Sequence, residues 1–201
     1  MHTDLDKIRD YYAQLTNDQL ENIAMYEVQD LREDVLKIVE AEIKKRGLEE
    51  VYSNAIDEQS QPITPNRLEE LTNKIKQLPC PICNNNHSDL IGGTIRKVRS
   101  FIVYSSYSHG HIIGCDTCVE RERTKHIGIS MALGWWGIPF GVIYTIRALI
   151  GHIGEVGKHR IAKSNEVIQA YAITNRGFIR GYWKDKEELV ARLRHHNNQV
   201  I

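Results

Sequence analysis

Net charge is the first thing this chain lacks: 26 Lys and Arg balance 26 Asp and Glu over 201 residues. A protein built mainly to coat nucleic acid carries a basic excess, so that class is disfavoured. The start, Met1-His2-Thr3-Asp4-Leu5-Asp6, has no apolar run behind it. That predicts no secretory leader and a reducing compartment. No Met-Gly start or CaaX ending marks a lipid anchor. No repeat of 20–50 residues suggests a solenoid. No H-E-x-x-H, P-loop, G-x-G-x-x-G or ordered Ser/His/Asp set is present, so neither an enzyme nor a small-molecule substrate is expected.

The zero net charge hides a split. Residues 1–78 carry 17 acids and 10 bases, whereas residues 79–201 carry 9 acids and 16 bases. Eight of the nine histidines also follow residue 79. The second part is suited to anionic surroundings.

Residues 1–50 read as an acidic helical module. Leu5, Ile8, Tyr11, Tyr12 and Leu15 recur at helical spacing. Thr16-Asn17-Asp18-Gln19 has the form of a capping box. A helix through Leu20, Ile23 and Ala24 follows, and another runs from about Asp30 to Arg46, with Gly47 placed to end it. Residues 51–66 are polar with two prolines and read as a linker. A short helix, about Asn66–Leu78, leads to the first cysteine pair. Between Asp89 and Cys115, β-branched and aromatic residues predict two or three antiparallel strands. Gly92-Gly93 and Ser108-His109-Gly110 punctuate that stretch. Residues 155–201 form a basic helical tail, with helices over Asn165–Arg176, stopped by Gly177, and from Asp185 to about His195. The expected fold class is α+β: a helical module, a small antiparallel zinc ribbon, an apolar helical hairpin and C-terminal helices.

All four cysteines fall into Cys80-Pro81-Ile82-Cys83 and Cys115-Asp116-Thr117-Cys118. Two residues between thiolates let one tight turn direct both sulfurs to one ion, and two such turns complete a tetrahedral site. On this reading Cys80, Cys83, Cys115 and Cys118 ligate a structural Zn2+ within residues 67–125. Iron competes, because all-sulfur tetrahedral geometry suits both metals. Four thiolates fill the coordination sphere and leave no open position for chemistry. A thioredoxin-like redox pair would sit once, at the start of a helix after a strand, so two pairs with a proline-led knuckle fit it badly. His87, His109 and His111 are alternative ligands but read better as exposed residues, while His126 and His152 flank the next segment as interfacial residues.

Ile127–Ile146 holds 20 residues without a charge, enough to span about 30 Å of hydrocarbon. Its centre, Gly134-Trp135-Trp136-Gly137-Ile138-Pro139-Phe140-Gly141, is unlike a plain spanning helix. Tryptophan favours the bilayer interface, and Pro139 removes a backbone donor. Basic residues flank both ends, which places both flanks on the cytoplasmic side. Residues 126–154 therefore predict a helical hairpin with arms Ile127–Leu133 and Phe140–Ile150, turning at Gly134–Gly141 beside the membrane. The competing reading is a hairpin buried in a soluble core. Arg96, Lys97 and Arg99 beside Phe101, Tyr104 and Tyr107 raise a nucleic-acid-binding alternative, although an ordinary strand explains them better.

The sequence C-P-x-C, strands, C-x-x-C, then L-G-W-W-G-I-P-F-G over Leu133–Gly141 resembles a largely uncharacterised bacterial family with a four-cysteine zinc ribbon and an L-G-W-W-G-I-P-[WF]-G segment. The match covers about Cys80–Ile153. It implies a metal-binding, membrane-associated protein with no assigned activity, with Cys80, Cys83, Cys115 and Cys118 as ligands and Gly134–Gly141 as the membrane-proximal turn. The basic flanks add the expectation of the cytoplasmic face of the inner membrane. The composite expectation is a non-enzymatic membrane-associated adaptor with a protein partner. Its alternative is a soluble cytoplasmic zinc-ribbon protein that binds nucleic acid.

Overall fold

The structure, a computed structural model, describes residues 4–101, 104–134, 146, 150 and 158–200, with side chains for all of these except 49, 97–101, 104–107, 130–134 and 158–162. The described chain is mostly helical, with one two-stranded antiparallel sheet. It divides into two compact units: Met1–Leu71 with Tyr171–Leu189, and Thr72–Ala170 with Val190–Ile201. These boundaries differ from the expected modules, because the tail 155–201 is shared between the two units.

In the first unit, α1 spans Asp4–Gln14, α2 Asn17–Asn22, α3 Glu33–Lys45 and α4 Glu49–Ser60. The capping box forms as expected. The Thr16 hydroxyl accepts from the Gln19 N–H at 3.3 Å, and the Thr16 N–H donates to Gln19 Oε1 at 2.8 Å. After α2 the chain widens into a π turn at Ile23–Glu27 and then tightens into a 3-10 turn at Val28–Asp30. Gly47 adopts φ +70° after α3, a conformation that costs a glycine least. Arg46 ties these helices together. Its guanidinium donates to the Leu15 and Ala13 carbonyls at 2.7 and 2.9 Å, closing the end of α1, and its Nε meets Glu42 Oε1 at 2.7 Å. That hydrogen bond holds the Glu42 carboxyl below its usual range.

The segment read as a linker, 51–66, is mostly helix. Within α4, Tyr52, Ala55, Ile56 and Gln59 are buried, the spacing of one helical face. The signal is weak in sequence because Gln59 is polar. It is accommodated by donating to the Ala24 and Ala55 carbonyls at 2.5 and 3.2 Å. Glu21 accepts from both Tyr52 and Tyr182, at 3.1 and 3.0 Å. Burial and that carboxylate push the Tyr52 phenol up to about 12.

A helix at Pro65–Lys76, α5, precedes the cysteine region. Strands β1, Ile91–Phe101, and β2, Tyr104–Gly114, pair antiparallel from Ile91↔Gly114 to Phe101↔Tyr104. The glycines expected to punctuate the strands lie inside them. A Cβ on Gly92 would meet the Ser164 carbonyl at 2.7 Å, and one on Gly110 would meet Val200 Cγ1 at 2.5 Å. These glycines permit close packing on the hairpin. A 19-residue helix, α6, runs Asp116–Gly134, and α7 runs Lys158–Thr174. A short helix, α8, spans Arg176–Gly181, and α9 spans Lys186–Val200. Ile95, Ile112 and Val119 form one buried cluster of the second unit, with Ile91 and Val200 against them, and Ile75, Leu90, Ile113, Ile168 and Leu193 are buried in the same unit. Asp185 caps α9, accepting from the Glu187 and Glu188 N–H groups at 3.1 and 3.0 Å.

Gly177, expected to stop a helix, instead lies within α8. A Cβ there would meet the Met25 carbonyl at 2.5 Å. The expected first arm, Ile127–Leu133, is helical but belongs to the longer α6. The turn at Trp135–Gly141 lies outside the described residues, as does the arm Phe140–Ile150 apart from Ile146 and Ile150.

Two substitutions test this packing by urea unfolding of the full chain. Gly177→Ala should destabilise the protein by about 1–3 kcal/mol, because backbone must move to admit the methyl group. Asn197 is 2% exposed; its Oδ1 accepts from the Ile113 N–H at 2.9 Å, and its Nδ2 donates to the Ile113 carbonyl at 2.8 Å. Asn197→Leu leaves that backbone pair unmet in a buried setting and should cost about 2–4 kcal/mol.

Candidate metal centre

The first cysteine pair occupies a knuckle between α5 and β1. The Leu90 N–H donates to the Lys76 carbonyl at 2.8 Å and pinches the base of this loop. Within it the Asn84 N–H donates to the Cys80 carbonyl at 2.8 Å, and the Cys80 N–H donates to the Asn85 carbonyl at 2.9 Å. Asn84 carries the reversal at φ +57°, a left-handed conformation that asparagine tolerates well. Arg194 Nε supports the knuckle from α9, donating to the Pro81 carbonyl at 3.1 Å.

The second pair differs from the expected ribbon. It lies on a strand-to-helix junction, not on a turn between strands. Cys115 follows β2 directly, and its carbonyl accepts from the Val119 N–H at 3.0 Å, so it opens α6 and Cys118 lies in the first helical turn. Most of the 31 residues between the pairs are therefore used by one long hairpin, Ile91–Gly114, and the rest complete the knuckle loop. Gly114 lets β2 approach the knuckle: a Cβ there would meet Ile82 Cδ1 at 3.1 Å and Cys80 Sγ at 3.6 Å.

Register and helix start together bring the four Sγ atoms within 4.8 Å of one another. The Cys83–Cys115 sulfur separation is 3.7 Å. A tetrahedron of about 2.3 Å zinc–sulfur bonds has edges of about 3.8 Å, so the donor set fits a single ion. Cys80, Cys115 and Cys118 are buried and Cys83 is exposed.

Electrostatics divides the thiols. Burial pushes the Cys80 thiol up, but the N–H groups of Cys115, Cys83 and Ile82 outweigh it and bring its pKa to about 7. The Cys115 N–H lies 3.3 Å from that sulfur. Burial raises Cys118 and Cys115 above the ordinary thiol value. Beside Cys118, the Arg121 guanidinium lies 4.0 Å from the sulfur. A divalent cation replaces the protons of such a cluster and removes the repulsion that ionisation creates.

The histidines considered as ligands stay outside this cluster. His87, His109 and His111 are exposed. His126, expected at an interface, is buried at 6% exposure, and His152 lies outside the described residues. Of the bases in the nucleic-acid alternative, Arg96 is buried on β1, which removes it from an open basic face. Sequence reasoning missed Asn84, Gly114 and Arg121 as supports of the centre. An asparagine just after a C-P-x-C knuckle and a glycine just before a cysteine were the available signals.

Comparison with family models, curated proteins and solved structures finds no match to this chain. What the centre defines is a four-cysteine cluster that can hold a metal ion.

Metal loading should be strongly pH-dependent. Below pH 7 even Cys80 is mostly a thiol, so binding must displace its proton as well as those of the raised Cys115 and Cys118. Apparent affinity should then fall by more than about tenfold per pH unit below 7 and recover as pH rises. Competition with a chromophoric chelator across pH 6–8 measures this slope, and an affinity flat over that range would contradict the assignment of the ligands.

Proposed function

We propose that this protein is a non-enzymatic, zinc-stabilised adaptor at the cytoplasmic face of the inner membrane. The four-cysteine centre is structural and holds the hairpin to α6. The apolar segment meets the bilayer, and the polar parts hold a protein partner. A filled tetrahedron of thiolates supports the structural role, since it leaves no position for substrate.

One observation carries the membrane reading: α6 is divided along its length, not around its circumference. Its first ten residues include Asp116, Glu120, Arg121, Glu122, Arg123 and Lys125, whereas Ile127–Gly134 has no charge. A helix lying on a soluble core shows an apolar stripe along one side. A helix leaving a polar domain for an apolar medium changes character from end to end. The described side chains of the apolar segment and its border agree with this: Ile129 is 39% exposed, Ile146 47% and Ile150 64%. No helix among the described residues is long and apolar enough to cross a membrane. An interfacial or re-entrant element needs less length than a span.

Fractionation of cells without detergent should recover the untagged chain with membranes, and vesicles of anionic lipid should sediment it. Ile129→Lys should weaken vesicle binding on the order of tenfold while leaving the metal content of the purified chain unchanged. Recovery of the unmodified protein wholly in a high-speed supernatant would defeat the membrane reading.

A further inference from the structure

We infer that Cys83 and Cys115 form an oxidation site through which a hydroperoxide opens the metal centre. This rests on the reading of the four cysteines as a metal site. The geometry separates the four sulfurs by access and by neighbour. Cys80 is 0% exposed, Cys118 3% and Cys115 7%, whereas Cys83 lies open to solvent beside the exposed Asn84–His87 loop. An oxidant from solution therefore meets Cys83 first. The Cys115 sulfur stands 3.7 Å away, across the join between knuckle and helix. Closing that gap to a disulfide of about 2.05 Å needs a shift of under about 2 Å.

The chemistry balances with hydrogen peroxide as the two-electron oxidant. The Cys83 thiolate attacks one peroxide oxygen, an S–O bond forms, the O–O bond breaks and hydroxide leaves, giving the sulfenic acid. The Cys115 thiolate then attacks the Cys83 sulfur, an S–S bond forms, and the sulfenic oxygen leaves as a second hydroxide. Two thiolates and one peroxide become one disulfide and two hydroxides. Cys80 and Cys118 remain, too few to hold a tetrahedral ion, and the metal is released. A dithiol reductant reverses the step by exchange.

The test uses the full chain, purified reduced and loaded with zinc. Metal content is measured first. Peroxide is then added without reductant, released zinc is followed with a chromophoric chelator, remaining thiols are alkylated, and disulfides are mapped by mass spectrometry. The expected result is one zinc released for every two thiols lost, with a Cys83–Cys115 linked peptide as the first product and re-uptake after dithiothreitol. Cys83→Ser should slow release on the order of tenfold; because that variant loses a ligand, the mapping on the unmodified chain decides independently. A loaded chain that keeps its ion under excess peroxide overturns the inference and leaves the metal reading standing. So does a first disulfide at Cys80–Cys83 or Cys115–Cys118. A reduced chain that holds no metal overturns both.

Discussion

Four thiols held within 4.8 Å of one another cannot all ionise without a cation between them, and the second unit is organised around that constraint. The knuckle, reversed through a left-handed Asn84, brings the buried Cys80 and the exposed Cys83 to the end of β2, which delivers Cys115 and Cys118 at a helix start. Backbone N–H groups turned onto the Cys80 sulfur take up part of its negative charge. Ile95 and Ile112 of the hairpin cluster with Val119 of α6. A metal bound where hairpin and helix meet would make part of the folding free energy and the binding free energy the same quantity.

The first unit uses no such device. Its helices are joined by polar side chains that satisfy buried backbone groups. Arg46 closes the end of α1, Gln59 reaches the Ala24 carbonyl, and Arg176 donates to the Gln59 and Gln61 carbonyls at 2.8 and 3.0 Å. Each group removes an unmet carbonyl at a helix end, where the penalty for burial without a partner is largest. Arg67 forms a bidentate pair with the buried Glu58 and also meets Glu70. These long polar side chains explain how a chain with 26% charged residues still packs its helices closely.

The helix that begins at the metal centre also enters the apolar segment. In the proposed reading, one rigid element links the two. The end-to-end change in α6 is the physical reason for joining them, since no apolar stripe along one side accounts for the charge-free half. The same junction gives the cysteines a mixed character: closed and structural when all four sulfurs are reduced, and open to exchange where Cys83 meets solvent.

Much of this was legible in residue spacing. The two Cys-x-x-Cys pairs named the four-cysteine cluster, because two-residue spacing constrains a local turn whatever surrounds it. The capping box at Thr16, the stop at Gly47 and the cap at Asp185 were readable for the same reason: each is a hydrogen-bond pattern within four residues. The α+β class followed from the change in texture after Asp89. Other features depended on distant partners. Residues 51–60 read as linker because their buried face includes a glutamine, whose cost vanishes only when the Ala24 carbonyl lies opposite. Gly92, Gly93 and Gly110 read as turns because a missing side chain looks the same whether it frees the backbone or admits a neighbour. The second cysteine pair read as a hairpin turn because spacing sets the distance between sulfurs, not the element that carries them. Whether a strand, a turn or a helix follows Cys115 is decided by what packs against Val119, and that is a matter of tertiary structure.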